Sequence, residues 1–510
     1  MQVVFRTDAN PTIGTGHLMR CRVLADALAR RGARCLFLCR SEGIGQTVER
    51  ITGGCHELRL LPEGQPHPGD GLAHSHWLPH GQARDAEFCR QALADIPRCD
   101  WLVVDHYALD HRWQQAMRVA TGKLMVIDDL ADRRHACDLL LDQNLHDAGA
   151  ARYDSLLAAD AVRLCGPRYA LLGEGFAAHR PAALARRRGA CERVLILFGG
   201  ADIADLTGRT VDALATLAYA GRADVVTGPL YAAHDALRQR LARLPGAQLH
   251  RAPNNIADLM AVADLAVGSP GVTSWERCAL GLPTIAIAVA DNQEGMAESL
   301  ARAGAHLYLG RAEQLSETAF QAALRLAIEA DPVRRALSSG AAAMTDGRGA
   351  ERVAHRLAGA EIGLRPARRE DAGLLYAWRN DPRVRSQSFD PRPLERAEHE
   401  AWLDKSLANP GRKLLIGLSG TLSIGCLRFD IDDGEALVSI YLDPDRIGQG
   451  YAAPLLQAGS AWIAAHCPAV RTLRAEVRPD NAASLAAFAA AGYAGDRFVF
   501  RKAVPLPEDS

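Results

Sequence analysis

A histidine follows two closely spaced glycines near the start of the chain, in the stretch "IGTGHLMR" at residues 13–20. Gly14 and Gly16 let the backbone turn sharply and approach a ligand closely. His17 opens a helix-forming run, whose free backbone N–H groups and dipole attract anionic oxygens. The dipole also favours the neutral imidazole, which accepts a proton near pH 7. The stretch therefore predicts an anion-binding loop with a candidate general base, or else a first-turn histidine without a ligand.

A second group of small and polar residues lies in "VGSPGVTSWERCALGLP", residues 267–283. Small residues after an apolar strand favour a turn that cradles phosphate. Thr273 and Ser274 offer hydroxyl groups to a diphosphate, and Glu276 offers a carboxylate to two ribose hydroxyls. The alternative for Glu276 is a purely structural role, in which its charge stabilises the helix N-terminus.

Alternating strands and helices surround the histidine motif. The segments "VVFRT", "ARCLFLCR", "DWLVVDHY" and "KLMVIDDL" are typical of buried strands. The intervening helix places Leu18, Cys21, Ala25 and Leu28 on one face. This βαβ order predicts an α/β fold with a parallel sheet, and a first Rossmann-like domain over residues 1–180.

The same rhythm begins again after a stretch rich in Pro and Arg. Residues 176–190 are interpreted as a linker, and residues 190–345 as a second Rossmann-like domain. Its strands are predicted in "RVLILFGGAD", "ADVVTGPL", "ADLAVGSPG" and "LPTIAIAVAD". Two such domains leave a cleft between them, in which a nucleotide sugar can bind.

Four stretches in this order resemble one enzyme family: "FRTDANPTIGTGHLMRC", "FGGADIADLT", "NNIADLMAVADLAVGSPGVTSWERCALGLP" and "DNQ". They are similar to the UDP-sugar hydrolases of pseudaminic acid biosynthesis over roughly residues 1–345. That family has the GT-B fold and is related to the glycosyltransferase that makes lipid II. Its members release UDP from UDP-2,4-diacetamido-2,4,6-trideoxy-β-L-altropyranose with inversion at the anomeric carbon.

The resemblance also implies roles for individual residues. His17 would be the general base that activates water. Asn255 and Ile256 would face uracil. Thr273, Ser274 and Glu276 would contact the diphosphate and ribose. Asn292 and Gln293 would face the sugar. Further substrate contacts would come from the N-terminal loop and from the segment "DHYALD", namely Asp8, Gly14, Gly16, Arg20 and Tyr107.

The last third of the chain has a different order of elements, typical of an α+β domain. In "IYLDPDRIGQGYAAPLL", Gly448 and Gly450 leave backbone N–H groups free for a pyrophosphate at a helix start. With the later segment "RPDNAASLAAFAAAGY", residues 361–503 resemble the GNAT acetyltransferases, which use acetyl-CoA.

This second resemblance implies a set of acetyl-CoA contacts. The pyrophosphate would be cradled by Ile447, Gly448, Gln449, Gly450, Tyr451 and Ala452, and the pantetheine arm held by the backbone of Leu442 and by Asn481. Two positions depart from the family pattern: Ile447 replaces a frequent Arg or Gln, and Phe488 replaces a frequent Tyr that protonates the thiolate. Glu476 is a candidate base, or else a surface carboxylate.

Composition narrows the possible partners. Of 510 residues, 59 are Lys or Arg and 60 are Asp or Glu, so charge gives no reason to expect nucleic acid or a membrane surface. No secretory signal and no run of 18 apolar residues is visible. Twelve cysteines without a CxxC pair predict a cytoplasmic protein with buried, reduced thiols. The His-rich loop, with His67, His74, His76 and His80, lacks the spacing of metal ligands, so no metal is expected.

These observations predict a bifunctional enzyme whose two activities are consecutive. The GNAT domain would acetylate the 4-amino group of a UDP-amino sugar with acetyl-CoA, and the GT-B part would then hydrolyse the product. Three alternatives stay open at this point. They are a GT-B glycosyltransferase that needs an acceptor, a UDP-sugar-binding scaffold beside an active acetyltransferase, and a hydrolase for another sugar or N-acyl group.

Overall fold

The computed structural model describes most of the chain. It covers residues 1–10, 12–40, 55–65, 67–96, 98–187, 189–199, 202–228, 231–253, 255–359, 362–420 and 422–495, without the side chain of Asn292. The chain divides into two compact units, Met1–Ala358 and Gly359–Ser510, called here the first and second units. The first unit contains two Rossmann-like halves, each built on its own sheet.

The first half is a parallel sheet in the order β3-β2-β1-β4-β5-β6-β7. Its strands are β1 (Gln2–Thr7), β2 (Arg34–Cys39), β3 (Glu57–Leu60), β4 (Cys99–Asp105), β5 (Thr121–Ile127), β6 (Leu139–Asp142) and β7 (Val162–Cys165). Its helices include α1 (Gly16–Ala29), α2 (Gly81–Ala92) and α3 (His111–Met117). The predicted apolar face of α1 is confirmed, since Leu18, Cys21, Ala25 and Leu28 are fully buried.

A helix, α4 (Glu174–Arg186), occupies the segment interpreted as a linker, so that interpretation was wrong. Its Pro- and Arg-rich composition is offset by tertiary packing. Phe176 and Ala183 enter the core of the second half. Arg180 donates hydrogen bonds to the carbonyl groups of Ala279, Ala342 and Thr345. These tertiary contacts offset the loss of the one helical hydrogen bond that Pro181 cannot donate.

The second half repeats the same topology, with parallel strands in the order β10-β9-β8-β11-β12-β13. These are β8 (Arg193–Leu197), β9 (Arg222–Thr227), β10 (Ala247–Arg251), β11 (Leu265–Gly268), β12 (Thr284–Ala288) and β13 (Leu307–Arg311). The helices are α5 (Leu206–Thr216), α6 (His234–Leu241), α7 (Ile256–Val262), α8 (Val272–Ala279), α9 (Glu294–Arg302), α10 (Glu317–Glu329) and α11 (Asp331–Met344). The parallel α/β prediction is confirmed for both halves.

The chain then returns to the first half in helix α12 (Gly349–Ala358). Val353 and Leu357 of this helix share a core with α1. The indole N–H of Trp101 on β4 donates to the carbonyl of Leu357 at 2.8 Å. A Cβ atom at Gly349 would lie 2.2 Å from the carbonyl oxygen of Ala170, so only glycine allows this close approach.

The second unit is built on a mixed sheet in the order β14-β15-β16-β17-β18. Its strands are β14 (Ile362–Pro366), β15 (Arg412–Ser419), β16 (Leu422–Asp432), β17 (Glu435–Leu442) and β18 (Thr472–Ala475). Its helices are α13 (Ala372–Asn380), α14 (Pro382–Arg385), α15 (Arg396–Ala408), α16 (Ala452–His466) and α17 (Ala482–Ala490). All neighbouring strands are antiparallel except β17 and β18, which are parallel. The predicted α+β order is therefore present, and residues 496–503 of the predicted domain lie outside the described residues.

All twelve cysteines are free thiols, and nine of them are buried. The prediction of buried thiols was wrong for Cys55, which is exposed, and holds only in part for the half-buried Cys165 and Cys467. Within the described ranges, no helix combines the length and apolar character that crossing a bilayer requires.

A buried charge cluster ties the start of the first sheet to α2. The fully buried Arg6 guanidinium pairs with Asp8 and Asp85, and the Trp113 indole donates to Asp85 at 2.8 Å. Burial alone would favour the neutral carboxyl, but the positive charge of Arg6 holds the pKa of Asp85 well below its usual range. Each charge in the cluster is thus compensated by its neighbours.

Removing one partner from this cluster should destabilise the first unit strongly. We expect Asp85→Ala to lower its free energy of unfolding by about 3–5 kcal/mol, because it leaves Arg6 buried and short of an anion. The neighbouring pair between Arg84 and Glu87 is exposed, so Arg84→Ala should change that energy by less than about 1 kcal/mol. Urea unfolding midpoints of the two variants give the comparison, and equal shifts would contradict the expectation.

Candidate functional site

Both halves of the first unit have a point where the strand order reverses. In the first half β1 neighbours β4, and in the second half β8 neighbours β11. The loops that leave such strand pairs diverge and open a crevice at the carboxyl ends. The histidine motif follows β1, and the loop at Ser269–Gly271 follows β11. The two motifs predicted from sequence thus occupy the ligand-binding positions of their sheets.

The His17 imidazole is hydrogen-bonded to a buried carboxylate at the end of β4. Its Nδ1 atom lies 2.6 Å from Oδ1 of Asp105, whose side chain is fully buried. Asp105 is the partner of Thr7 in the β1–β4 register, so the sheet itself brings it beneath the start of α1. Sequence reasoning missed Asp105, although it is the residue that ends the strand predicted in "DWLVVDHY".

Arg20, one turn after His17 on α1, neutralises that carboxylate. Its Nε and Nη2 atoms donate to the two oxygens of Asp105, each at 2.6 Å. Burial of Asp105 favours its neutral form, but the charges and hydrogen bonds of Arg20 and His17 together outweigh burial and hold the pKa of Asp105 well below its usual range. Arg20 was predicted to contact the substrate. The structure places it under the loop, where it fixes Asp105.

The ionised carboxylate decides which nitrogen of His17 carries the proton. Nδ1 of His17 lies 3.2 Å from Nη2 of Arg20 but only 2.6 Å from Asp105. Because ionised Asp105 can only accept hydrogen bonds, the shorter contact places the proton on Nδ1. Nε2 of the neutral ring is then the basic atom. This arrangement fixes the imidazole orientation and stabilises the imidazolium that forms when Nε2 takes a proton.

Aromatic rings surround the His17 side chain. Tyr107 lies edge-on at 4.7 Å between ring centroids, and Trp77 lies at 5.6 Å. The Trp77 ring stacks on Tyr107 at 5.1 Å, and His74 packs against both. The Tyr107 hydroxyl donates to Asp129. We call Trp77, Tyr107 and His74 the aromatic wall; sequence reasoning proposed Tyr107 but missed the other two.

The remaining predicted residues of the N-terminal loop have different surroundings. Gly14 has φ of 76°, a conformation that favours glycine, and no atom of the described residues lies within 4 Å of a Cβ atom at Gly14 or Gly16. Space for a ligand is therefore open at both glycines. Asp8 is 2% exposed, and its carboxylate already accepts hydrogen bonds from Arg6 and from the backbone N–H of Arg40. Its position supports the loop from inside.

In the second half, Glu276 lies on α8 after the β11 loop. Its side chain is half-buried, and among the described residues its carboxylate has no hydrogen-bond or ion-pair partner. Burial raises the pKa of the Glu276 carboxyl to about 7, and the charge of Arg277 offsets only part of that effect. A partly buried carboxyl without a partner is the kind of group that a bound ligand can satisfy.

The two hydroxyl residues of the same motif differ in their contacts. The Ser274 hydroxyl is buried and accepts hydrogen bonds from the Gly271 N–H at 3.3 Å and from Arg277 at 3.1 Å. It closes the turn before α8 and keeps one proton to donate. Thr273 is half-buried at the second position of α8.

The other predicted contacts of this half lie at the starts of α7 and α9. Asn255 precedes α7 and is exposed, whereas Ile256 packs partly into the core. Gln293 precedes α9, and its side-chain oxygen accepts from the Val289 N–H at 2.9 Å. The side chain of Asn292 lies outside the described part of the chain. Three predicted groups, at Asn255, Thr273 and Glu276, are thus accessible at the carboxyl edge of this sheet.

In the second unit, the parallel strands β17 and β18 separate along their length. Their pairing ends at Val438 and Ala475, while β17 continues to Leu442 paired only with β16. The β18-facing edge of residues 439–442 therefore has no strand partner among the described residues. An extended molecule can bond to such an edge, and the backbone of Leu442, predicted to contact the pantetheine arm, belongs to it.

The loop between β17 and α16 is anchored by alternate residues. Gln449 is 2% exposed and donates to the carbonyl of Asp445 at 2.6 Å, and Tyr451 is fully buried. Gly448 and Gly450 are exposed and have φ of 77° and 89°. Exposed Ile447 and half-buried Ala452 complete the predicted cradle. The backbone of this loop thus faces outward ahead of a 15-residue helix, a geometry suited to an anionic group.

The other GNAT candidates have mainly structural contacts. The Asn481 side-chain oxygen caps α17 by accepting from the Ser484 N–H at 3.0 Å. Phe488 lies in the core against Tyr493, with ring centroids 5.0 Å apart. Glu476 is exposed and pairs with Arg474 at 3.2 Å, which favours the surface-carboxylate interpretation. In the described part of the chain, no three His, Cys, Asp or Glu side chains are grouped as a metal site.

The fold and the site define two classes of protein in one chain. Residues 361–494 match the family model of the acetyltransferase (GNAT) domain, so the second unit is a GNAT domain with a mixed sheet. The first unit has the GT-B fold. It resembles the MurG structure from Acinetobacter baumannii, with a TM-score of 0.52 and 13% identity over 70% of this chain and 99% of that one.

Two relatives in sequence indicate more closely which proteins the first unit resembles. The chain is 26% identical over 306 residues to the UDP-2,4-diacetamido-2,4,6-trideoxy-β-L-altropyranose hydrolase of Campylobacter jejuni, covering 60% of this chain and 97% of the relative. It is 26% identical over 190 residues to the spore coat polysaccharide biosynthesis protein SpsG of Bacillus subtilis. The match spans 37% of this chain and 56% of the length of SpsG. The chain therefore joins a GT-B unit related to a UDP-sugar hydrolase to a GNAT acetyltransferase domain.

Proposed function

We propose that the first unit hydrolyses a UDP-diacetamido sugar and that the GNAT domain N-acetylates the 4-amino precursor of that sugar. The observation that carries the first half of the proposal is the His17–Asp105 pair. A fixed imidazole with a basic Nε2 atom stands beside an open glycine loop, at the position where a Rossmann-like sheet binds ligands. The relationship to the Campylobacter enzyme supports the choice of substrate.

The hydrolytic step needs a nucleophile more than it needs an acid. As a water oxygen bonds to the anomeric carbon, Nε2 of His17 takes the water proton. The bond between that carbon and the UDP oxygen breaks, and its electron pair leaves with the diphosphate. Attack from the side opposite to UDP inverts the anomeric centre. Asp105 stabilises the resulting imidazolium, and an oriented base of this kind contributes about 10²–10⁴-fold in rate.

The surrounding residues suit a nucleotide sugar with apolar substituents. The aromatic wall offers flat surfaces for the methyl and acetamido groups of a trideoxy sugar, next to the base. In the second half, Glu276 would accept the ribose hydroxyls. Thr273 and Ser274 would bind the diphosphate at the start of α8, where the helix dipole favours anions. Asn255 and Ile256 would face uracil, and Asn292 and Gln293 the sugar.

The GNAT domain would act one step earlier. The amine of a UDP-amino sugar attacks the thioester carbonyl of acetyl-CoA, an amide forms, and CoA leaves as a thiolate while the amine loses a proton. The open edge of β17 would hold the pantetheine arm, and the Gly448–Gly450 loop the pyrophosphate. Phe488 cannot donate a proton, so the thiolate takes its proton from another group or from water.

The central test is UDP release from UDP-2,4-diacetamido-2,4,6-trideoxy-β-L-altropyranose without any acceptor. We expect fast release by the wild type and a fall of about 10²-fold or more in kcat for His17→Ala, because the base is lost. His111→Ala removes a partly exposed histidine that contacts Asp110, and it should leave the rate unchanged.

The same experiment separates the alternatives. Fast release that survives His17→Ala would keep the hydrolase and reject His17 as its base. If the wild type releases UDP only after an acceptor is added, the first unit is a glycosyltransferase. Binding of the UDP-sugar without turnover would indicate a scaffold, visible as a raised melting temperature.

Nucleotide binding should depend on the charge of Glu276. Because its pKa is about 7, the carboxylate that accepts ribose hydroxyls is present above pH 7 and is lost as the pH falls below it. We expect the UDP affinity of the wild type, divided by that of Glu276→Gln, to fall as the pH drops from 8 to 6. The ratio cancels the titration of UDP itself. A ratio that is flat across this range would reject the ribose contact.

Acetyl-CoA binding should be sensitive to the second loop glycine. Gly450→Ala places a Cβ atom where φ is 89°, and it blocks backbone approach to the pyrophosphate. We expect its KM for acetyl-CoA to rise about tenfold, measured as CoA release with the UDP-4-amino sugar as acceptor. Gly420→Ala, at φ of 60° after β15, has no atom of the described residues within 4 Å of its Cβ position; it carries similar strain and should leave KM unchanged. If the two substitutions raised the KM for acetyl-CoA equally, backbone strain would be the cause rather than blocked contact with the pyrophosphate.

A further inference from the structure

One loop of the first half reaches into the second half. It follows β6 and makes three kinds of contact there. The side-chain oxygen of Asn144 accepts a hydrogen bond from the Trp275 indole at 3.1 Å. Leu145 packs against the core of the second half, and Asp147 pairs with Arg302 at 2.8 Å. Trp275 lies on α8, directly before Glu276.

The other end of the Asn144 amide faces the histidine site. Its Nδ2 atom donates to Oδ2 of Asp129 at 3.4 Å. The same carboxylate oxygen accepts from Nη1 of Arg20 at 3.0 Å. Arg20 in turn holds Asp105, which holds His17. A continuous chain of polar contacts therefore runs from α8 to the imidazole.

The two neighbours of Asn144 require a side chain that both accepts and donates a hydrogen bond, as an amide does. An indole N–H can only donate, and an ionised carboxylate can only accept. The bridging side chain must therefore present an acceptor to Trp275 and a donor to Asp129. Asparagine does both and is held in one orientation by them. An aspartate there would place a carboxylate against Asp129, and an alanine would break both contacts.

We propose that Asn144 is a positioning residue that couples the placement of α8 to the placement of His17. This proposal rests on the proposed function, in which α8 binds the nucleotide and His17 activates water. Occupation of the nucleotide site fixes α8, the Trp275–Asn144 contact fixes Asp129 and Arg20, and these fix the base.

The kinetic test uses UDP release by Asn144→Ala and Trp275→Phe. The phenylalanine keeps most of the ring volume and removes only the indole donor. We expect each variant to lower kcat about tenfold or more, with KM and the UDP dissociation constant within about twofold of wild type, because misplacement of a base is felt in turnover. The double variant should be no slower than Asn144→Ala alone, since that substitution already removes the Trp275–Asn144 contact.

Asp147→Ala is the matched control, because it removes an exposed contact between the same loop and the second half without touching the His17 network. It should behave as wild type. A loss of kcat in Asp147→Ala equal to that in Asn144→Ala would indicate general loosening of the loop and overturn the proposal. So would independent, multiplicative losses in the double variant.

A measurement without turnover distinguishes failure of this proposal from failure of the proposed function. With histidine rings isotopically labelled, the His17 signals are assigned by their absence in His17→Ala. We expect UDP to shift them in the wild type and to leave them unshifted in Asn144→Ala, which still binds UDP. If the wild type binds UDP but does not hydrolyse the sugar nucleotide, the proposed hydrolase activity is rejected. The shifts of the His17 signals then still show whether UDP binding is coupled to His17. Equal shifts in both proteins, or no UDP binding at all, would overturn it.

Discussion

The buried carboxylate of Asp105 organises the histidine site. It ends β4 at the point where the first sheet reverses its strand order, and it is ionised because Arg20 supplies the compensating charge. An ionised group in that position dictates the proton on Nδ1 of His17 and leaves Nε2 basic. It also ties α1 to the sheet at the first turn of the helix. The position and protonation of the His17 imidazole are therefore fixed by one ion pair beneath it.

The second half uses the equivalent position of its own sheet for a different purpose. There the loop after β11 contains small residues, and α8 carries Glu276. Among the described residues this carboxyl has no hydrogen-bond or ion-pair partner, and burial raises its pKa to about 7. One half thus holds a fully compensated carboxylate that organises the protein. The other holds an uncompensated carboxyl that a ligand can complete. The duplicated topology supplies two similar crevices, and their side chains give them different chemistry.

Sequence patterns predicted much of this architecture, since long apolar strands, glycine stops and the α1 face depend on local periodicity. The motif residues His17, Thr273 and Glu276 also follow from local spacing. Asp105, Trp77 and Asn144 could not be predicted, because their roles depend on which segments the sheet order brings together. The helix over Glu174–Arg186 was missed for a related reason. Its proline and arginines indicate a loop locally, whereas core packing and distant carbonyl groups stabilise the helix.

The return of α12 to the first half has a consequence for folding during synthesis. The core shared by α1 and the first sheet lacks Val353 and Leu357 until the whole second half has been translated. At about 5–20 residues per second, the apolar face of α1 stays partly uncovered for tens of seconds after the strands of its own sheet have emerged. The first half therefore completes its core only after the second half has been synthesised. The GNAT domain, which begins at the next residue, can form its core only after the last piece of the hydrolase-related unit has been made.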